Sequence, residues 1–272
     1  MREVPQTLLF ELIPQHALKF LLGAIGILAI TSLSVQFGIY YLPEYPLKNI
    51  LSGLFFLDYE TNIPTMYSVV TLLCCSMILG FIANAKRATR GAYINYWMTL
   101  SGIFLFLAID EFASLHEKLI EPIHLKLNTS GFFYFAWVIP GAAFTFVCLL
   151  IFTRFLGHLP TQTRRLFLLA GSLYVSGTLG MEMIGGYYAS LINNRNDIIY
   201  AVIVTIEESL EMLGVAVFIY SLLHYISYYM KGTGLRINIV TSEKKRRNAY
   251  LFVTPRHKTI DLKTIIWLNF AN

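Results

Sequence analysis

Six long apolar stretches constrain the fold of this chain more than any other feature of its sequence. A helix needs about 20 mainly apolar residues to cross a bilayer, and each stretch meets that requirement. Their approximate ranges are 17–42, 64–83, 92–117, 132–155, 166–191 and 198–225. We therefore expect an all-α fold, a polytopic bundle of about six transmembrane helices.

The composition agrees with a protein embedded in a membrane. Of the 272 residues, 56% are hydrophobic and only 14% are charged, and the mean hydropathy is +0.59. These values exclude an ordinary soluble domain of this length. The three cysteines, Cys74, Cys75 and Cys148, lie inside apolar stretches without metal-ligand spacing, so we expect them to serve packing.

Basic residues indicate the orientation of the chain. They are concentrated in the short loops after the second and fourth stretches and in the C-terminal tail, and the positive-inside rule then places both termini in the cytoplasm. The loop residues are Lys86, Arg87, Arg90, Arg154, Arg164 and Arg165. The net charge of +5 thus reflects topology, and we expect no nucleic-acid partner. Loops 42–63, 118–131 and 192–197 are expected outside.

These expectations divide the chain into three parts. Residues 1–16 form an N-terminal interfacial segment, 17–228 the six-helix transmembrane domain, and 229–272 a basic cytoplasmic tail. Pro64 suits the first turn of the second helix, with Asn62 or Ile63 before it as the cap. Pro140 is expected to kink the fourth helix.

Seven acidic side chains lie in or at the ends of apolar stretches that contain no interior Lys or Arg. An ionised side chain at the bilayer centre costs about 2.5–3.5 kcal/mol on insertion scales, so such residues are usually kept for function. Without a cationic partner they must be protonated, hydrated or bound to a metal. The seven are Asp110, Glu111, Glu117, Glu182, Glu207, Glu208 and Glu211.

Helical spacing gathers several of these acids. A step of about 100° per residue places Asp110, Ser114 and Glu117 on one arc of the third helix, and Glu207 and Glu211 on one face of the sixth. In the expected orientation all three acidic helices carry their acids in the outer half of the membrane.

Three further residues lie near this cluster in the predicted topology. His116 is off the Asp110 arc and joins the acids only if the helix end relaxes. Asp58 and Glu60 precede the second helix and are expected at the outer mouth of the same cavity.

The preferred interpretation is an intramembrane metal site near the outer leaflet. Carboxylates and histidines from several helices form di-iron and di-manganese centres in helical bundles, and hard oxygen donors suit a divalent metal such as iron, manganese, zinc or calcium. The first candidate ligands are Asp110, Glu117, Glu182, Glu207 and Glu211. Glu111, Glu208 and His116 are candidates for a ligand, a base or a group that supports the ligands. A metalloenzyme acting on a lipid-soluble substrate would fit this depth.

Two other functions stay open. A proton- or cation-coupled transporter or channel would use the same acids as titrating groups. A scaffold subunit would explain the helices but not the acids. Membrane lipid is the expected surrounding partner, and both a homo-oligomer and a subunit of a membrane complex are compatible with the sequence.

Three boxes carry a resemblance to a known group of proteins. They are Asp58-x-Glu60-x-Asn62-Ile63-Pro64-Thr65, Asp110-Glu111-x-x-Ser114-Leu115-His116-Glu117 and Glu207-Glu208-x-x-Glu211-x-x-Gly214. Together they resemble an uncharacterised family of bacterial polytopic inner-membrane proteins, over about residues 50–225. The resemblance implies that the three boxes belong together and that the protein is a multi-pass protein of the bacterial inner membrane, and it supplies no activity.

Overall fold

A computed structural model describes residues 13–193 and 197–230, and the backbone of residues 233–239 and 249–255. The helices are α1 (Pro14–Tyr41), α2 (Lys48–Phe55), α3 (Ile63–Ala88), α4 (Ile94–Ala113), α5 (Ile120–Leu127), α6 (Val138–His158), α7 (Thr161–Val175), α8 (Glu182–Leu191) and α9 (Ile198–Tyr229). A π-helical turn, Ser176–Met181, joins α7 to α8, and 3₁₀ turns cover Glu117–Leu119 and Gly131–Phe133. Two tail strands, β1 (Thr233–Ile239) and β2 (Ala249–Pro255), pair antiparallel.

Five helical segments among the described residues are long and apolar enough to cross a membrane. They are α1, α3, α4, α6 and the continuous unit of α7, the π-helical turn and α8. The predicted multi-pass helical architecture is confirmed to this extent. The sixth predicted stretch forms α9, which has 32 residues but carries Glu207, Glu208 and Glu211 in its first half.

The centre of the bundle is α9. It packs against α1, α3, α7, α8 and the π-helical turn, and buries most of its circumference, including Val204, Met212 and Leu222. One face, with Ile199, Val202 and Ile206, stays exposed. The outer helices α3 and α4 pair through Ser76 and Ser101, whose hydroxyls each donate to the other residue's carbonyl oxygen at 2.8 Å.

Two predicted helix limits are wrong. The third stretch was expected to remain helical to Glu117, but α4 ends at Ala113, because Ser114 takes a left-handed conformation with φ of 48°. Ser114 and Glu117 therefore do not extend the helical arc of Asp110. In addition, α6 begins only at Val138, so Pro140 lies in its first turn, where proline needs no backbone donor and does not kink the helix.

Predictions for the cap of α3, for the loops and for the chain ends have different outcomes. Asn62 is the cap of α3, as one of the two expected candidates, and its Oδ1 accepts from Thr65 N at 3.1 Å. The short helices α2 and α5 lie in segments that were expected to be plain connections. Residues 1–12 of the expected interfacial segment 1–16 lie outside the described residues, whereas 14–16 begin α1. In the expected basic tail, residues 231–232, 240–248 and 256–272 lie outside them.

Glycine allows α7 and α9 to approach closely. A Cβ atom on Gly214 would lie 2.7 Å from Tyr174 N and 2.9 Å from Ala170 O. Neither backbone atom can move away without separating the helices. One side-chain carbon at this position is therefore enough to disturb the contact on which the central helix depends.

We expect Gly214→Ala to destabilise the protein and Gly171→Ala to leave it unchanged or slightly more stable. Overpacking costs roughly 1–3 kcal/mol, whereas a Cβ on Gly171, also in a helix, would meet nothing within 4 Å. Thermal unfolding of the two detergent-solubilised variants measures the difference. Equal unfolding midpoints would contradict the close contact.

Candidate functional site

The loop before α3 is held rigidly by hydrogen bonds. Asn62 Nδ2 donates to Phe56 O at 2.6 Å, and Thr65 Oγ1 donates to Tyr59 O at 3.2 Å. These bonds tie both ends of the loop to the first turn of the helix. Glu60 therefore has a defined position although it belongs to no helix.

The turn after α4 brings His116 back to Asp110. His116 N donates to Asp110 Oδ1 at 2.9 Å, and His116 Nδ1 lies 3.0 Å from Asp110 Oδ2. An ionised carboxylate only accepts, so Nδ1 carries the proton in this contact. The left-handed Ser114 makes the turn possible. The predicted condition for His116 to join the acids, an interrupted helix end, is thus met.

Three donor groups meet where the loop and the turn come together. Glu60, His116 and Glu117 each offer one ligand atom, and these atoms lie within 4.8 Å of one another. Glu60 and His116 are half-buried, and Glu117 is exposed. Glu60 Oε2 is buried without a hydrogen-bond partner. Because an unpartnered buried carboxylate oxygen is costly, this oxygen is suited to accept a proton or a cation.

Trp137 connects this group to α8. Its indole N–H donates to Glu182 Oε1 at 2.6 Å, and its ring packs against the His116 ring with centroids 4.7 Å apart. Sequence reasoning missed Trp137, because a tryptophan at the edge of an apolar stretch is typical of a membrane interface. Its hydrogen bond to Glu182, 45 residues away along the chain, is visible only in the folded structure.

The remaining acids lie near this group on α4, α8 and α9. Glu208 and Glu211 of α9 lie within electrostatic range of Glu111 of α4, and Glu207 lies against Glu182 of α8. Glu207 is buried, while the other four are half-buried although they lie among the packed helices. These five carboxylates therefore lie among the packed helices, in a region where a charged group needs a proton, water or a cation.

No basic side chain neutralises these acids within the described part of the chain. The ion pairs there join Lys48 to Glu44 and His116 to Asp110. The nearby Lys118 donates instead to Ala113 O, at 2.7 Å. Among the described residues, Asp110 is thus the one predicted acid in an ion pair, and its partner is His116 rather than a lysine or arginine.

The structure brings together some of the predicted site residues and not others. His116 and Glu117 meet Glu60, which was expected only at the cavity mouth, and Asp110 supports His116. The described residues form no second group of three such donors within that distance. Glu111, Glu182, Glu207, Glu208 and Glu211 thus lie in the neighbourhood of the group without completing a compact ligand set.

Burial and charge shift the pKa values of the residues outside the helices. Burial raises the pKa of Asp58 to about 6, against the effect of Tyr200, whose hydroxyl donates to Asp58 Oδ1 at 3.3 Å. Burial also raises the pKa of Glu60, and the charge of Glu117 adds to it. For His116, burial lowers the pKa, but the hydrogen bond and charge of Asp110 outweigh burial and raise it to about 9.

The fold and site define a multi-pass helical membrane protein with a carboxylate and histidine cluster. The chain belongs to the family described as Domain of unknown function (DUF8692), whose sequence profile matches residues 19–226. This range includes every residue of the cluster. No curated protein and no solved structure matches the chain.

We expect Asp58→Asn to stabilise the metal-free protein at pH 7.5 but not at pH 4. The folded pKa of about 6 lies above the ordinary value of 3.8, so the free energy of unfolding falls as pH rises through this interval. Asparagine removes the charge and still accepts from Tyr200. Thermal unfolding in a chelator at both pH values measures the effect.

The control for this pH experiment is Glu121→Gln, which removes an exposed carboxylate. It should change the unfolding midpoint little at either pH. A stabilisation by Asp58→Asn that is equal at pH 4 and pH 7.5 would contradict the assigned pKa.

Proposed function

We propose that this protein is a metal-binding membrane protein that holds a divalent cation between Glu60, His116 and Glu117. The observation that carries the proposal is the meeting of these three donors within 4.8 Å, with Glu60 Oε2 buried and unpartnered. Two carboxylates offset the charge of a divalent ion, and the imidazole supplies a nitrogen donor.

The hydrogen bond from His116 to Asp110 supports this assignment. A metal-bound histidine usually donates its second ring N–H to a carboxylate, which fixes the ring and makes the other nitrogen a better ligand. With Nδ1 bound to Asp110 at 3.0 Å, Nε2 is the nitrogen that would release its proton and bind the metal, since a histidine ligand is neutral. The neighbouring Trp137 ring restricts the imidazole further.

The donor set selects among metals. One nitrogen and two carboxylates suit manganese, iron or zinc better than calcium, which prefers six to eight oxygen ligands. Three protein ligands also leave coordination positions for water or substrate, as in catalytic metal sites. We therefore favour a hydrolytic or redox metalloenzyme, in which the bound metal activates water or exchanges electrons.

The site belongs, in this proposal, to the outer side of a bacterial inner membrane. The α9 helix is the sixth span, both termini are cytoplasmic, and the basic loops after α3 and α6 lie inside, as the positive-inside rule requires. The half-buried Glu60 and exposed Glu117 then open toward the outer interface. A lipid-soluble substrate reaches that depth from the membrane.

Elemental analysis of the purified, detergent-solubilised protein tests the metal site. We expect about one divalent ion per chain in the wild type, and loss of nearly all of it in Glu60→Gln, Glu117→Gln. Asp110→Asn should keep the site but weaken its affinity by roughly 10- to 100-fold, because it removes only the group that orients His116.

The matched control is Glu44→Gln, Glu121→Gln, which removes two exposed carboxylates outside the site. It should keep the wild-type metal content. A folded wild type that binds no metal, or equal losses in the two double variants, would overturn the metal site.

A cation- or proton-coupled transporter is the second candidate, favoured by the five further acids beside the ligand group. Glu111, Glu208 and Glu211 interact electrostatically with one another and with Glu182 or Glu60. A metalloenzyme does not need this many carboxylates around one site, whereas a transport path uses them.

The double variant Glu207→Gln, Glu211→Gln separates the two functions. If the protein is a transporter, pH-dependent ion flux in proteoliposomes is lost although Glu60, His116 and Glu117 are intact. If it is a metalloenzyme with its ion at those three residues, metal content stays near the wild-type value and no flux is found in either protein. Loss of bound metal in this variant would instead place ligands on α9.

A further inference from the structure

A cavity lies at the end of the bundle opposite the acidic site. It has a volume of about 240 Å³ and is lined by ten residues, including Lys86, Tyr93, Trp97, His158 and Tyr225. It forms where α3, α6 and α9 end and where α4 and α7 begin. Since α3 has 26 residues, about 39 Å of helix at about 1.5 Å per residue separates this cavity from the loop of Glu60.

The charge of the cavity favours an anionic ligand. Lys86 and His158 are its ionisable nitrogen bases, and no carboxylate is among the residues that line it. The Lys86 amino group lies 5.5 Å from the centre of the Tyr225 ring, which holds it at the cavity. Within the described residues, the ion pairs do not include Lys86. A phosphate would therefore meet an amino group that pairs with no acid of the described segments.

The backbone at the cavity has an unusual conformation. Tyr93 precedes α4 with φ of 62°, and Arg90 has φ of 51°. A bulky side chain rarely adopts positive φ, and such positions are concentrated at functional sites. Here the conformation packs the Tyr93 ring against the His158 ring, with centroids 4.4 Å apart. Tyr93 thus helps to position one of the two basic groups.

An open groove extends from the same tyrosine along the start of α4. It has a volume of about 340 Å³ and is lined by Tyr93, Gly91, Ile94, Asn95 and Tyr96. Further along, the outer face of α4 carries large exposed apolar side chains, including Leu105 and Phe106. In a membrane these side chains contact acyl chains. The groove therefore starts at Tyr93, which also lines the basic cavity, and lies on the same helix as these lipid-facing side chains.

We propose that this cavity binds the phosphate of an anionic phospholipid, with Lys86 and His158 on the phosphate and the acyl chains along α4. Basic pockets between transmembrane helices are suited to lipid headgroups, and Lys is an established phosphate-binding residue. The groove favours a lipid over a soluble phosphate ester, which would need no exit toward the membrane. This site is independent of the proposed metal site.

Lipid binding to the full-length protein in detergent tests the proposal. Native mass spectrometry with phosphatidylglycerol and with phosphatidylcholine measures the affinity for each lipid. We expect preference for phosphatidylglycerol in the wild type, and about tenfold weaker binding of that lipid by Lys86→Gln, because a charge-assisted hydrogen bond is lost. Lys86→Arg should retain most of the affinity.

The matched control is Arg87→Gln, which removes the same charge from an exposed neighbour outside the cavity. It should bind phosphatidylglycerol like the wild type. Equal weakening by Lys86→Gln and Arg87→Gln would show a diffuse surface charge and overturn the site. Displacement of the lipid by millimolar inorganic phosphate, with phosphate bound in its place, would overturn the lipid as the natural ligand.

Discussion

Placing carboxylates inside an apolar helix bundle is the constraint on which the rest of this structure depends. The α9 helix is both the central packing element and the carrier of Glu207, Glu208 and Glu211. An isolated charge in hydrocarbon is costly, so these groups need water, a shared proton or a cation. The turn before α6 supplies an indole donor for Glu182, and the described residues supply no lysine or arginine partner to the intramembrane acids.

Departures from regular helix build the candidate site. The left-handed Ser114 ends α4 and returns His116 to Asp110. The π-helical turn Ser176–Met181 lies directly before Glu182, and its Gly177 meets α9 so closely that a Cβ atom would lie 2.8 Å from Glu207 O. Such π-helical turns occur frequently at functional sites. Regular helices thus provide the scaffold, and the interruptions position the side chains of the candidate site.

The two ends of the bundle differ in chemical character. At one end, α3 begins beside Glu60, and α4 ends beside Asp110 and His116. At the other, α3 ends with Lys86 and Arg87, a favourable position for cations at the negative end of its helix dipole. This asymmetry separates the carboxylate and histidine cluster at one end from the basic cavity at the other, so the cation and the anion proposed for them would not compete directly.

The sequence by itself determined the apolar helices, narrowed the cap of α3 to Asn62 or Ile63, and showed acids in spans without interior lysine or arginine, because length, hydropathy and local hydrogen-bonding chemistry are properties of short segments. It could not locate the end of α4, since the periodicity of apolar residues does not reveal a left-handed Ser114. Nor could it pair Glu60 with His116 and Glu117, or Trp137 with Glu182, because these residues are distant along the chain. Only the tertiary structure decided which acids meet, since that depends on how helices pack and where each one is interrupted.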